Sequence, residues 1–357
     1  MKIKNNVNNK LNFIRLFYFE SVQSEETFKL INELKKERLF QKIIDSKTFT
    51  RLKNISFLGA IDYLYTNKKK HTRYDHTLSV AALALKYAKL TNLNEHDKNY
   101  LVCAALLHDI GHGPLSHSME PSFKKIFNLS HHQAGINIIN GESPLGTELY
   151  NILNQNEINI NKLVELLNGN SKEDYAFALD NPINIDTIDG IIRTYTYICN
   201  SRNKNKTLMA VPTTFEVLEA VLDPSKSAIL DKFWELKDKV YRQIINSSLH
   251  IYADNFSQSF IEKNSQNISK NDFYLHDIDF KKQHKILFEN LYNLKKQKDK
   301  FYGKDLEFVK REYKINNSIE VNEVNDILKK YVHTKSREIF SINKSKSENS
   351  YQKKFSY

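Results

Sequence analysis

The chain has 357 residues, of which 40% are hydrophobic and 27% are charged. These fractions are ordinary for globular proteins and provide enough apolar material for a buried core, in one large domain or two. Glycine and proline number only 9 and 6. Because sandwiches and barrels need many turns, this scarcity argues against an all-β fold and favours helices. The net charge of +11 would attract nucleotides or nucleic acid, although a solvated lysine-rich surface accounts for it equally well.

Cysteine use and apolar patterning bear on the cellular compartment. Cys103 and Cys199 form neither a disulfide framework nor a metal motif, which fits a reducing cytoplasm. The first residues lack the apolar stretch of a signal peptide. The apolar run over 101–107 is far too short to span a bilayer. We therefore expect a cytoplasmic protein that has no part in a membrane.

Helices are predicted through most of the first 205 residues. A polar segment over 1–12 is expected to be flexible, and the first domain is expected to span 13–205. Asn94 is the expected N-cap of a helix with acidic Glu95 and Asp97 in its first turn, where the helix dipole favours negative charge. Helical spacing and composition predict segments over 13–39 (with loops), 49–58, 77–90, 95–109, 115–127, 131–140, 161–167 and 186–199.

A second region, residues 206–340, is predicted to be mostly helical and either to pack on the first domain or to mediate oligomerisation. Its helices are expected over 215–222, 228–245 and 284–294, with extended structure near 307–315. Residues 341–357 contain few apolar side chains and are expected to be disordered. No internal repeat is found. The expected fold class is mainly α.

The segment after one buried helix carries four titratable side chains within ten residues: His108, Asp109, His112 and His117. Polar groups at the end of a buried helix are costly unless they are paired or bind something. His112 lies four residues after His108, so the two share a helical face. Histidine and aspartate are ligands that divalent metals accept, and a helix-borne pair needs ligands from elsewhere. His76 and Asp186, each at the start of a predicted helix, are candidates, but spacing alone does not prove that they converge.

Five segments resemble, in the same order, the motifs of HD-superfamily deoxynucleoside triphosphate triphosphohydrolases. The most specific is HDIGHGPLSH at 108–117, similar to the family's H-D-[IL]-G-H-G-P-F-S-H with leucine in place of phenylalanine. HTRYDHT at 71–77 is similar to H-x-R-[FY]-[ED]-H-[ST]. The others are FTRL at 49–52, SHHQAG at 130–135 and IDTID at 185–189. On this ground the chain is identified as a member of the HD superfamily, which implies an HD-domain helical bundle followed by a further helical region.

The resemblance implies a metal site with four ligands: His76, His108, Asp109 and Asp186. Asp189, three residues after Asp186, is the alternative ligand. The implied cofactor is a divalent ion, Mn, Mg or Fe, with Zn and Ni as further alternatives. Asp75 or Asp189 would orient the ligating histidines through hydrogen bonds. Alignment on the following glutamine favours His131 over His132 as the next family histidine.

The resemblance also implies the residues that line the cleft. The implied catalytic residues are His112, His117, His131 and Glu120, and the implied substrate-binding residues are Arg73 and the same three histidines. Arg73 is expected to bind a phosphate or to pack near the site, and Glu120 to lie near the attacking group. His117 or His112 would donate a proton to the leaving oxygen or stabilise the developing charge.

The implied enzyme activity is metal-dependent hydrolysis of a (deoxy)nucleoside triphosphate to nucleoside and triphosphate. The chain departs from the family near the sugar, where Phe57 replaces a frequent glutamine and Gly190 and Thr194 replace a tyrosine and an acidic residue. The alternatives are another HD activity, such as a nucleotide phosphatase or phosphodiesterase, and a non-catalytic protein that binds nucleotide or nucleic acid. The expected partners are the nucleotide substrate and further copies of the chain, with nucleic acid as an open alternative.

Overall fold

A computed structural model describes residues 24–65, 71–202, 211–296, 305–323 and 325–341. Helices make up most of these residues, so the prediction of a mainly α fold is confirmed. The flexible N-terminus predicted over 1–12 lies outside the described residues, as does all but the first residue of the predicted disordered tail. Among the helices of the described ranges, none is both long enough and apolar enough to cross a membrane.

The helices of the first half surround two that are buried on nearly every side. They are α1 (Glu25–Leu34), α2 (Arg38–Asp45), α3 (Lys47–Thr50), α4 (Arg73–Leu90), α5 (Glu95–Leu107), α6 (Glu120–Phe127), α7 (His131–Ile139), α8 (Glu148–Gln155), α9 (Ile160–Leu167) and α10 (Ile185–Arg202). Every residue from His76 to Leu85 in α4 is buried, and so is every residue from Tyr100 to Leu107 in α5. A helix that is apolar around its whole circumference belongs in a core, and α4 and α5 pack against each other there.

Capping residues fix where the helices that carry the candidate site begin. Thr72 and Asp75 form a reciprocal capping box at the start of α4, and the Asn94 side chain accepts from the Asp97 backbone amide at the start of α5. The helix predicted from residue 77 therefore begins four residues earlier, at Arg73. Asn94 is the N-cap, as its position in the sequence predicted.

Two predicted helices are wrong in part. The segment 49–58 contains the end of α3, a short 3-10 helix (Arg51–Asn54) and then extended backbone, where Ser56 forms a bridge to Thr72. The segment 115–127 is broken because Leu115 and Ser116 adopt left-handed backbone angles, with φ of 54° and 45°. A 3-10 turn (Ser116–Ser118) follows, and α6 begins only at Glu120.

The second half combines helices with one hairpin. Its elements are α11 (Thr214–Leu222), α12 (Ser227–Val240), a π-helical turn (Tyr241–Ile245), α13 (Ser248–Lys263), α14 (Asp277–Gln283), α15 (Lys285–Asn293), β1 (Asp305–Ile315), α16 (Asp326–Lys330) and β2 (Tyr331–Ser341). The strands pair antiparallel, with Asp305 opposite Ser341 and Ile315 opposite Tyr331. Extended structure near 307–315 is thus observed as β1, whereas β2 was not predicted.

The second half packs directly on the first. Helices α11 and α12 contact α10, and α13 contacts α6. The 3-10 helix Gly59–Leu64, which lies between α3 and α4, packs against α13 and α15. Residues from the second half therefore reach the loops that surround the buried helices α4 and α5.

Candidate metal centre and histidine cluster

Three helix ends bring predicted ligands together. His76 lies in the first turn of α4, His108 directly follows α5, and Asp186 lies in the first turn of α10. His76 Nε2 is 2.9 Å from Asp186 Oδ1 and 3.4 Å from His108 Nε2. His108 Nε2 is 3.7 Å from Asp186 Oδ1. Side chains that are up to 110 residues apart in sequence thus face one small space.

Asp109, the fourth predicted ligand, points one carboxylate oxygen into the same space. Its Oδ2 is 3.6 Å from His76 Nε2 and 3.5 Å from His108 Nε2. Arg73 Nη1 donates a hydrogen bond to this oxygen at 2.8 Å, and both side chains are buried. We call His76, His108, Asp109 and Asp186 the ligand cluster.

The donor set of the ligand cluster fits a divalent cation. Imidazole nitrogens suit Fe²⁺, Ni²⁺ and Zn²⁺, and carboxylate oxygens suit Mn²⁺ and Mg²⁺, so the mixed set of two nitrogens and two oxygens accepts a divalent cation without selecting one. Burial alone would lower the pKa of His76, but hydrogen bonds with Asp186 and Asp189 raise it to about 9. The carboxylates therefore require positive charge at this point, which either a proton on His76 or a bound cation supplies.

Asp189 and Arg193 support His76 from behind. Asp189 Oδ2 is 2.6 Å from His76 Nδ1, so Asp189 binds the nitrogen that faces away from the ligand cluster. Arg193 donates to both oxygens of Asp189, at 2.7 Å from Nε and 3.1 Å from Nη2. This buried ion pair fixes the orientation of the His76 ring. Asp75, the other candidate for that role, instead caps α4.

The sequence motifs do not include Arg193, although it lies four residues after Asp189 on one helical face. It also donates to Ser79 Oγ at 2.8 Å, and the Asp189–Arg193 pair lowers the pKa of Asp189 to about 2 despite burial, which acts to raise it. Asp186 and Asp189 therefore have different roles: Asp186 belongs to the ligand cluster, and Asp189 holds the His76 ring from the other side.

A second group of side chains lies beside the ligand cluster. We call His112, His117, His131 and Glu120 the histidine cluster. Glu120 Oε1 is 2.6 Å from His131 Nδ1, and Glu120 Oε2 is 3.0 Å from His117 Nδ1. One carboxylate thus orients both rings and leaves their Nε2 atoms for a ligand. These hydrogen bonds hold the pKa of Glu120 far below its usual range, although burial acts against them. His132, the alternative to His131, is exposed.

His112 is the buried member of the histidine cluster. Burial, Arg73 and His131 hold its pKa well below the usual range, so the ring is neutral. Among the described residues neither of its ring nitrogens has a hydrogen-bond partner, although Nε2 lies 3.1 Å from Asp109 Oδ1. A buried polar group without a partner is costly, so His112 is suited to receive a hydrogen bond from, or give one to, a bound molecule.

The three histidines of the histidine cluster face one another closely. The rings of His112 and His131 stack 4.2 Å apart and only 7° from parallel. One ring nitrogen each of His112, His117 and His131 lies within 4.8 Å of the others, close enough to share one small ligand, either a metal ion or an anion. His117, with 62% of its side chain exposed, stands at the open edge.

Arg73 and Phe57 lie beside both clusters. Arg73 Nε donates to Ser116 Oγ at 3.0 Å, in addition to the bond from Nη1 to Asp109. Its guanidinium lies 5.0 Å from the centre of the Phe57 ring, and that ring lies 4.7 Å from the His76 ring. Arg73 thus packs near the site, and phosphate binding by this side chain stays a prediction.

Residues 73–172 match the HD domain family. The fold is similar to the crystal structure of a hypothetical protein from Aquifex aeolicus, with a TM-score of 0.60 and 20% identity over 85% of this chain and 92% of that one. Uncharacterized protein MG461 of Mycoplasma genitalium is 34% identical over 137 residues, 36% of this chain and 31% of the relative. Deoxynucleoside triphosphate triphosphohydrolase SAMHD1 of Homo sapiens is 33% identical over 111 residues, 28% of this chain and 17% of the relative.

The sequence likeness to these two relatives is confined to part of the molecule. The chain spans less than a third of the length of the curated relatives that it matches. The matched HD segment includes the histidine cluster, Arg73, His76, His108 and Asp109, whereas Asp186 lies beyond residue 172. The family match therefore covers the histidine cluster and three of the four residues of the ligand cluster.

Proposed function

We propose that this protein, which contains an HD domain over residues 73–172, is a metal-dependent phosphohydrolase that acts on a nucleotide. The observation that carries the proposal is the ligand cluster, in which four metal-ligating side chains from three helix ends meet beside the histidine cluster. A site of this kind holds a cation and an anion next to each other, as hydrolysis of a phosphoester requires. The sequence similarity to the triphosphohydrolase SAMHD1 supports the same class of reaction.

The contacts suggest a separate role for each group of side chains. The ligand cluster would hold a divalent ion, which supplies Lewis-acid activation of water and offsets phosphoryl charge. His112 and His131, whose stacked rings each place a nitrogen in the histidine cluster, would bind phosphate oxygens. His117, whose Nδ1 is held by Glu120, has its Nε2 available to donate a proton to the leaving oxygen. Burial keeps the pKa of His117 below its ordinary value, although the hydrogen bond to Glu120 acts to raise it. A bound phosphate would favour the charged ring that carries this proton.

The substrate that we propose is a (deoxy)nucleoside triphosphate, split into nucleoside and triphosphate. Support comes from the resemblance of the HD segment and from the similarity to SAMHD1, which carries that activity in its name. Phe57 and Gly190 stand where the enzymes that the chain resembles often have a glutamine and a tyrosine near the sugar. A Cβ atom at Gly190 would lie 3.9 Å from both His76 and Phe57, and neither Gly190 nor Phe57 offers a side-chain hydrogen bond to a sugar hydroxyl. Preference among sugars is therefore expected to differ from that of enzymes with glutamine and tyrosine there.

Product analysis tests the proposal. The purified protein is incubated with Mn²⁺, Mg²⁺ or Fe²⁺ and, separately, with deoxynucleoside triphosphates, ribonucleoside triphosphates, mononucleotides and cyclic dinucleotides. Nucleoside plus inorganic triphosphate supports the proposed reaction. Pyrophosphate, monophosphate or a linear dinucleotide indicates a phosphatase or phosphodiesterase instead. If no phosphoester is hydrolysed with any of these ions, or if the double variant His108→Ala/Asp109→Ala is fully active, the proposal is wrong.

Homo-oligomerisation, nucleic-acid binding and a cytoplasmic location stay predictions. Light scattering on the purified protein tests the first. The second requires DNA or RNA binding that weakens as salt rises, because released counterions drive such binding. Localisation of a tagged full-length chain in its cell tests the third.

A further inference from the structure

The loop that carries His117 has an unusual backbone. Leu115 and Ser116 are consecutive non-glycine residues with φ of 54° and 45°. Side chains with a Cβ disfavour this left-handed region, so a pair of such residues persists only where surrounding contacts hold it. His117 follows directly and is part of the 3-10 turn Ser116–Ser118. The position of its ring therefore depends on what holds Leu115.

Asp277, at the start of α14 in the second half of the chain, binds that backbone. Its Oδ1 accepts a hydrogen bond from the Leu115 amide at 2.9 Å. Its Oδ2 accepts from Tyr63 Oη at 2.8 Å and from the Ser56 amide at 3.2 Å. Asp277 is only 4% exposed. A buried carboxylate with three donors is a rigid anchor, because water is not available to replace a lost partner.

Three further contacts join the same loop to the second half. Asp254 of α13 accepts a hydrogen bond from Ser118 Oγ at 2.6 Å. Gly113 lies so close to the Phe273 carbonyl that a Cβ atom there would approach its oxygen to 2.4 Å. Arg51 donates to the His112 carbonyl at 2.8 Å and to the Leu275 carbonyl at 3.1 Å. The loop is thus held from residue 112 to residue 118.

We propose that Asp277 is a positioning residue for catalysis: it holds Leu115 in its left-handed conformation and thereby places His117 in the histidine cluster. The proposal rests on the proposed function, in which His117 acts on the substrate. It assigns to the second half of the chain, which lies outside the matched HD segment, a direct part in forming the active site. Asp277 itself contacts neither the ligand cluster nor the Nε2 atoms that would face a substrate.

The substitution Asp277→Asn tests the proposal because it keeps the size of the side chain and removes the charge that three donors share. We expect kcat to fall about tenfold or more, with bound metal unchanged because the ligand cluster is intact. Asp279→Asn is the matched control on the same helix, where the carboxylate is 42% exposed and pairs with Lys282. The control should keep wild-type kcat. An Asp277→Asn protein that is folded and has unchanged kcat overturns the proposal.

A double variant distinguishes positioning of His117 from general stabilisation. If Asp277 acts through His117, Asp277→Asn adds little, less than about twofold, to the loss already caused by His117→Ala. A general structural role predicts that the two losses multiply, which would contradict the proposal. Where Asp277→Asn does not fold, Tyr63→Phe removes a single donor, and a loss of about threefold in kcat is then expected. Unchanged kcat in Tyr63→Phe would count against the proposal.

A readout that needs no turnover separates this proposal from the proposed function. The ring nitrogen resonances of His117, assigned with His117→Gln, should shift in Asp277→Asn and stay unchanged in Asp279→Asn. If the wild-type protein hydrolyses no nucleotide but the His117 signals shift as expected, the proposed function fails and the positioning contact stands. If hydrolysis is observed and those signals do not move, the positioning proposal fails alone.

Discussion

The ligand cluster and the histidine cluster are neighbours, yet they are built in different ways. The ligand cluster is assembled at the ends of α4, α5 and α10, and its support, the Asp189–Arg193 ion pair, lies on α10 itself. The histidine cluster lies on a loop and on α6 and α7, and the loop is held by residues of the second half. The place of the carboxylates differs as well: Asp109 and Asp186 contribute oxygens to the ligand cluster, whereas Glu120 in the histidine cluster binds the Nδ1 atoms of His117 and His131.

This contrast shows how one site provides for a cation and an anion at once. Convergent nitrogens and carboxylates on rigid helices define a small space with negative charge, which suits an ion of fixed radius. The imidazoles of the histidine cluster, on a loop and on α7, are hydrogen-bonding groups of the kind that bind phosphate oxygens. Loss of the first cluster should therefore remove the metal and all activity, whereas loss of the second should reduce turnover and keep the metal.

Asp109→Asn should have the largest effect, because it removes one of two carboxylates from the ligand cluster and retains the side-chain volume. We expect bound Mn²⁺ to be lost and hydrolysis to fall about 1,000-fold or more. Metal content by mass spectrometry and product formation by chromatography measure the two effects. Treatment of the wild type with a chelator should give the same loss, and Mn²⁺ should restore activity to the wild type only. A variant that retains both metal and activity would remove Asp109 from the ligand cluster.

His117→Ala should have the next largest effect and should separate the two clusters. Loss of a proton donor at this position should lower kcat about 100- to 1,000-fold, with metal content unchanged. His132→Ala is the matched control, since His132 is an exposed histidine beside the histidine cluster. The control should retain activity within about threefold. Metal loss in His117→Ala would show that the two clusters are not separate.

The ligand residues of the first cluster could be predicted from the sequence because they lie in compact motifs. The segment HTRYDHT contains His76, and the segment HDIGHGPLSH, about 30 residues later, contains the adjacent His108 and Asp109. The assignment of Asp186 and Asp189 needed the structure, because residues three apart on a helix lie on nearly the same face. Only the direction of α10 shows which carboxylate meets His76 Nε2 and which meets Nδ1.

The supports of the second cluster could not be predicted, for physical reasons. Leucine and serine give no signal for a left-handed backbone, so the sequence predicts a helix across Leu115 where the chain in fact breaks. Its partner Asp277 is 162 residues away, and no local periodicity reports a contact of that separation. The sequence does not predict strand β2, because most of its residues are exposed on both faces. It therefore lacks the alternation of apolar and polar residues that marks a half-buried strand.

Asp189→Asn should have a smaller effect that is confined to the ligand cluster. The substitution weakens the contacts that orient the His76 ring, and loss of such a partner typically lowers metal affinity about 10- to 100-fold. Calorimetric titration with Mn²⁺ measures that affinity. Asp75→Asn is the control: Asp75 lies one residue from His76 but caps α4, so its loss should cost helix stability of about 1 kcal/mol and leave metal affinity unchanged. Equal affinities in Asp189→Asn and the wild type would contradict the role of Asp189.

Asp254→Asn should have the smallest effect, on stability and in a defined pH range. Burial raises the pKa of Asp254 to about 6, although the hydrogen bond from Ser118 acts against this. The folded chain therefore keeps a proton on Asp254 between about pH 4 and pH 6, where the unfolded chain has released it. The free energy of unfolding therefore falls by about 1–3 kcal/mol in total as pH rises through this range, because the folded chain must release a proton from a buried carboxyl.

Denaturant unfolding of the wild type and of Asp254→Asn at pH 4, 5, 6 and 7 measures this dependence. Near pH 4 the protonated aspartic acid and the asparagine should behave alike. Toward pH 7 the variant should gain stability relative to the wild type, because asparagine carries no charge to bury. A difference in the free energy of unfolding that is constant across the series would show that Asp254 is ionised in the folded chain throughout. In that case Ser118, in the loop beside the histidine cluster, would donate its hydrogen bond to a charged carboxylate. Such a bond is stronger than one to a neutral carboxyl.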